Sequence, residues 1–195
     1  MTKKSKGKES PIKIRQVHKD RLAGDMSVRM CLAAFYGIEM SKALGWSVEH
    51  RYTQLMQMPM MIQAGHSKMY IASGADGMPM GMIITTKTNK HKIRRLEAIQ
   101  VFEPYRGRGV ARQLLNEARG GVELHSYAIP NAVEWHLKNG FRNLGLKEVE
   151  GTFEMFTGNF KPEYGFDFVM PTPNAQDSEA IRHLKQMEQS HLPLM

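Results

Sequence analysis

Residues 105–118 read YRGRGVARQLLNEA, and this stretch constrains the chain more than any other. A β-rich run ends just before it, two glycines sit between arginines, and an apolar-striped helix follows at once. The first N–H groups of a helix have no partner within the helix, and the positive end of its dipole lies behind them. Gly107 and Gly109 remove side chains that would hold a ligand away, while Arg106, Arg108 and Arg112 surround the opening with charge. The stretch therefore reads as a cradle for a phosphate group.

Three phosphate patterns can be set against it. The P-loop needs a final Gly-Lys-Ser/Thr, which is absent. The dinucleotide fingerprint could start at Gly107 and Gly109, but Arg112 holds its third glycine position, and the strands before it look antiparallel. The third pattern, Gln/Arg-x-x-Gly-x-Gly/Ala, is met by Arg106-Gly107-Arg108-Gly109-Val110-Ala111.

The flanking elements follow from periodicity. Ile12 and Ile14 alternate with Lys13 and Arg15 before Val17, a half-buried strand. Asp25 precedes a long helix with Val28, Leu32 and Phe35 on one face, which fades near Gly45. Ser47 caps a second helix with the stripe Val48, Tyr52, Leu55 and Met56, limited by Pro59. Two β-rich runs flank Gly74-Ala75-Asp76-Gly77 as a hairpin. A third run, KIRRLEAIQVF, places Glu97, Ile99 and Val101 on one face by alternation. After the helix at 110–119 come a strand near 122–129, a short helix from Pro130 to Gly140, and a last hairpin in EVEGTFEMFTG. Consecutive strands followed by strand–helix alternation predict a mixed sheet.

The chain has 195 residues, enough for one domain with a real core. Residues 1–19 hold most of the formal net charge of +8, so 1–10 reads as a basic, disordered arm able to touch nucleic acid weakly. Residues 158–195 read as an extension ending in a polar helix with the narrow stripe Ile181, Leu184 and Met187. Cys31 is the only cysteine, which excludes an internal disulfide and fits a cytoplasmic setting. No metal cluster and no membrane span are expected. Most of the sixteen methionines fall in apolar stripes as core filling.

The six-residue pattern is the coenzyme A signature of the GNAT superfamily of N-acetyltransferases, and the chain resembles that family over roughly residues 11–157. A second segment, Ala132-Val133-Glu134-Trp135-His136-Leu137-Lys138-Asn139-Gly140-Phe141, is similar to a later family motif and lies about 25 residues on. The resemblance implies an α/β (α+β) fold: a mixed, mostly antiparallel central sheet flanked by helices, with splayed strands holding acetyl-CoA. It places the pyrophosphate on Arg106, Gly107, Arg108, Gly109, Val110 and Ala111, with Arg112 just beyond, and the pantetheine arm along Ile99, Gln100 and Val101.

It also implies direct attack by a primary amine in a ternary complex, without a cysteine intermediate. Glu97 is the candidate base, on the strand before the loop; the competing reading is a surface carboxylate paired with Arg95 or Lys92. His136 stands where the family usually has a tyrosine that protonates the leaving thiolate, with Tyr127 as a backup donor. Asn131 is displaced from the family position, and Lys138 reads equally as a solvated lysine. The amine acceptor is unspecified: a protein, a small amine or an aminoacyl-tRNA. A homodimer is admitted. The rival reading is a non-catalytic protein that uses the same fold to engage a protein or nucleic-acid partner.

Overall fold

Ser47 caps its helix as the sequence predicts, its hydroxyl accepting from the His50 N–H at 3.2 Å, and Asp25 is a cap as well, its carboxylate accepting from the Val28 N–H at 3.3 Å. In the computed structural model these caps open helices α1 (Met26–Leu32) and α3 (Val48–Gln63). Between them the expected single helix is interrupted. A π-helical turn, Ala33–Glu39, joins α1 to α2 (Met40–Leu44), and Gly45 ends α2 at a φ of +63°. The structure describes residues 11–147 and 151–170, with Arg182 and Gln186. The basic arm and the stripe Ile181, Leu184 and Met187 lie outside the described residues.

Seven strands form one sheet: β1 (Lys13–Gln16), β2 (Ser67–Ser73), β3 (Pro79–Lys87), β4 (Ile93–Val101), β5 (Glu123–Ala128), β6 (Arg142–Lys147) and β7 (Thr152–Phe156). Their order is β1-β2-β3-β4-β5-β7-β6, and β4–β5 is the parallel pair. Helix α4 (Val110–Arg119) makes the crossover between those two strands, and α5 (Val133–Lys138) follows β5. This is the predicted mixed, mostly antiparallel architecture.

The sheet separates two cores. On one face Val28, Cys31, Leu32, Phe35 and Tyr36 pack with Met61, Ile62, Met69, Ile71 and Ala98. On the other, Val110, Leu114, Leu115 and Ala118 of α4 pack with Ile83, Leu96, Leu124 and Ala128. Cys31 is fully buried, and burial pushes its thiol up to about 12, so it fills space and is no nucleophile at neutral pH. Met58, Met61, Met69, Met80, Met82 and Met155 are core, whereas Met26, Met30, Met56 and Met60 are exposed.

Three local expectations are corrected. Helix α3 does not stop at Pro59 but runs to Gln63, because Met58, Met61 and Ile62 are buried and hold the last turn on the sheet. Met56 leaves the predicted stripe, while Arg51 is buried at 1% exposure. The last hairpin begins earlier than EVEGTFEMFTG suggests: its first arm is β6, which pairs Lys147 with Thr152 and Arg142 with Phe156. No described helix is long and apolar enough to cross a membrane.

Arg51 explains how the interrupted helix keeps its shape. Its Nε donates to the Trp46 carbonyl at 3.1 Å, and its guanidinium also donates to the Gly37 carbonyl inside the π turn. Replacing it with methionine, Arg51→Met, keeps the packing volume but strips both carbonyls of their donor. The expected loss is about 1–3 kcal/mol, read as a lower urea midpoint at unchanged slope. A change under roughly 0.5 kcal/mol would show that burying the charge cancels what its bonds contribute.

Beyond β7 the chain turns back across the face that carries α1. The Tyr164 hydroxyl meets His125 Nδ1 at 2.5 Å, and Gly165 exchanges two hydrogen bonds with Asn89, each 2.9 Å. Phe166 lies under the Arg95 guanidinium, and Phe168 stacks on His66 with ring centroids 4.1 Å apart.

Candidate functional site

Strands β4 and β5 pair only over Ile93–Leu96 and Glu123–Ser126. Past that point β5 stays with β7 and β4 stays with β3, so the two diverge. From Glu97 onward the β4 edge that faces β5 has no strand against it. An unpaired edge leaves N–H and C=O groups free for an extended ligand. Ile99, Gln100 and Val101 lie along this edge, and the buried Gln100 Oε1 has no hydrogen-bond partner. The Val101 carbonyl accepts from Arg106 Nε at 3.1 Å, which ties the signature loop to the end of the strand.

The loop has the geometry of an anion cradle. Gly107 and Gly109 both have φ of +76°, and a Cβ on either would meet nothing within 4 Å. Glycine is therefore required here by backbone conformation and not by crowding. Gly109 is the N-cap of α4, and its carbonyl accepts from the Gln113 N–H at 3.1 Å. The N–H groups of Val110, Ala111 and Arg112 precede that first helical bond. Arg106, Arg108 and Arg112 are exposed around the opening, with Arg108 5.7 Å from the Tyr105 ring centroid.

A cavity of about 560 Å³ occupies the gap between the diverging strands. Leu96 and Ala128 of one core and Tyr36 and Met40 of the other both line it, so it passes through the sheet. Both predicted catalytic residues, Glu97 and His136, line it, and so does Tyr127.

Glu97 reaches the cavity by a route that alternation hides. The β3–β4 register shifts between Ile84, opposite Ala98, and Thr85, opposite Leu96. Glu97 is the extra residue of a β-bulge, a feature that re-aims a side chain. It does not share a face with Ile99 and Val101, which pack toward α4, but acts on Tyr36 across the other face. Its carboxylate pairs with Arg95 Nε at 3.2 Å and bonds Thr86. Burial raises its pKa above the usual carboxylate range, with Arg95 and Thr86 opposing that shift. The pairing with Arg95 foreseen for an ordinary surface carboxylate is present, yet the residue is in the cavity wall.

His136 is 3% exposed. Its Nδ1 lies 2.8 Å from the Ala132 carbonyl and must donate to it, which leaves Nε2 as the site that gains or loses a proton. Nε2 is buried without a partner. Burial lowers the pKa, so the ring is mostly neutral near pH 7. Lys138 pairs with Glu134 at 2.5 Å on the exposed side of α5, and Asn131 is exposed.

One group was missed. His125 is buried between the Tyr164 hydroxyl and Glu154, whose Oε1 is 2.9 Å from Nε2, and Glu154 also pairs with Lys147 at 3.1 Å. Its partners lie 29 and 39 residues away, so no local spacing could reveal them.

An acetyltransferase (GNAT) domain model matches residues 41–157, more than half of the chain. The chain belongs to the GNAT acetyltransferase family. Solved structures agree in fold. A PaiA N-acetyltransferase from Thermoplasma acidophilum, in complex with coenzyme A, is 16% identical with a TM-score of 0.55, covering 75% of this chain and 98% of that one. A histone acetyltransferase-related acetyltransferase from Corynebacterium glutamicum is 15% identical with a TM-score of 0.58, covering 77% and 98%. A spermidine N-acetyltransferase chimera from Vibrio cholerae is 17% identical with a TM-score of 0.51, covering 74% and 93%. No curated protein matches this GNAT chain significantly in sequence.

Proposed function

We propose that the protein transfers the acetyl group of acetyl-CoA to a primary amine by direct attack in a ternary complex. The observation that carries this reading is the cavity in the β4–β5 gap, with Glu97 and His136 both in its wall. The loop from Arg106 to Ala111 would hold the pyrophosphate, with Arg112 beside it, and Ile99 to Val101 would face the pantetheine arm. When bound, acetyl-CoA supplies a thioester whose acetyl carbon the amine attacks and whose sulfur leaves. Glu97 takes a proton from the amine nitrogen as the amide C–N bond forms and the C–S bond breaks. In its imidazolium form, the minority near pH 7, His136 carries a proton on Nε2 and gives it to the departing sulfur. Cys31, fully buried, outside the cavity wall and with its thiol held at high pKa, forms no acetyl intermediate.

Two measurements test this. Acetyl-CoA and CoA should each raise the melting temperature, and thiol release should follow when an amine panel is added. Stabilisation by neither ligand overturns the coenzyme reading. Stabilisation with no turnover on any amine favours a CoA-binding protein that engages a partner without chemistry.

The His136 role has its own signature. A proton on Nε2 is present below the lowered pKa and lost as pH rises through it. The rate of the chemical step should therefore begin to fall at a pH below the ordinary imidazole value. His136→Phe, which keeps a ring in the site, should remove that falling limb and lower kcat by about 10²-fold. An unchanged profile would assign the proton to another donor in the wall, such as Tyr127.

A further inference from the structure

The cavity wall carries several aromatic groups and one ion pair. Phe35, Tyr36, Trp46, His50 and Tyr127 line it. Trp46 and His50 stand edge to face with centroids 4.3 Å apart, and Phe35 and Tyr36 do so at 4.9 Å. Among the described lining residues, Arg95 and Glu97 are the only lysine, arginine, aspartate or glutamate side chains, and they pair with each other. The Arg95 guanidinium also lies 5.3 Å from the Tyr127 ring centroid and 5.9 Å from that of Phe166.

We infer that the acceptor is a small primary monoamine carrying a flat apolar ring. The inference rests on the acetyl-transfer reading above and adds the class of substrate to it. A polyamine brings several ammonium groups, each of which needs an anionic partner once out of water. The wall offers one carboxylate, already shared with Arg95. A nucleic-acid acceptor needs free cations for its phosphates. The one lining guanidinium is engaged by Glu97 and by two rings.

An aromatic monoamine meets both restrictions. Its ring buries apolar area against Trp46, His50 and Tyr127 in edge-on or offset contact. Its ammonium is held by ring faces until Glu97 takes the proton. A volume of about 560 Å³ is that of a small-molecule site, and it must also admit the acetyl end of the cosubstrate. One compact acceptor fills what is left.

The test is thiol release from acetyl-CoA with phenethylamine, spermidine, a lysine-containing peptide and an aminoacyl-tRNA, alongside calorimetry of acetyl-CoA binding. The expected kcat/KM for phenethylamine is at least about tenfold above each of the others, as loss of an aromatic contact set implies. Trp46→Ala should raise the phenethylamine KM by about tenfold and leave the acetyl-CoA KM unchanged. His50→Ala, at an exposed position, should shift it in the same direction and serves if the tryptophan variant does not fold. A preference for spermidine, peptide or tRNA overturns the acceptor class and leaves acetyl transfer standing. Acetyl-CoA binding with no amine consumed overturns acetyl transfer and the acceptor class together.

Discussion

Glu97→Gln is expected to lower kcat by about 10²–10⁴-fold near neutral pH while acetyl-CoA binding stays within about twofold of the parent. Glutamine keeps the volume and the acceptor oxygen but cannot take a proton from the amine. The pH profile makes the assignment specific. Burial holds the Glu97 carboxyl protonated to a higher pH than an exposed glutamate, so activity should rise as pH climbs through that raised value. With the His136 limb falling on the alkaline side, the parent enzyme should give a bell whose two arms stand close together. The glutamine variant should lose the acidic arm and keep the other. A variant with full activity and an intact acidic arm would show that Glu97 serves only to hold Arg95.

The second large effect belongs to the loop. Gly109→Val should weaken acetyl-CoA binding by at least about tenfold, measured by calorimetry. A β-branched residue at φ of +76° costs roughly 1–2 kcal/mol or more of backbone strain. The chain relieves it by leaving the left-handed region, which turns the first N–H groups of α4 away from a common point. No neighbour lies within 4 Å of the added Cβ, so the fold itself should survive and melt within a few degrees of the parent. Tight binding by this variant would show that the exposed arginines, and not the backbone, hold the phosphates. Arg112→Ala then separates the two contributions: a charge effect should shrink with added salt, whereas a backbone effect should not.

The contrast between these two sites explains what could be read from the sequence. The loop was legible because everything that shapes it is local: two glycines, a strand that stops and a helix that starts. The order of strands and helices was legible for the same reason, through periods of two and of three to four residues. Glu97 was aimed wrongly, because strict alternation cannot register one extra residue in a ladder. That residue shows only when Ile84 and Thr85 are seen opposite Ala98 and Leu96. Pro59 misled for a related reason: its local penalty was read without the buried Met61 and Ile62 that outweigh it. Arg51 was hidden because a charged side chain in a helix reads as solvated, and one of its carbonyl partners, Gly37, lies in a turn that the sequence presents as ordinary helix. The divergence of β4 and β5 has no sequence signature of its own. It follows from where pairing ends on each strand, which is decided by neighbours far along the chain.

The segment after β7 bears on where the folded unit stops. The family match ends at residue 157, directly after the last strand. Yet Tyr164 closes over His125, Gly165 is bonded to Asn89, Phe166 underlies Arg95 and Phe168 covers His66. Ending the chain at the homology boundary would expose a buried histidine and strip one aromatic support from the arginine that holds Glu97. Homology marks what the relatives share; the physical edge of this domain lies at least eleven residues later, at Phe168.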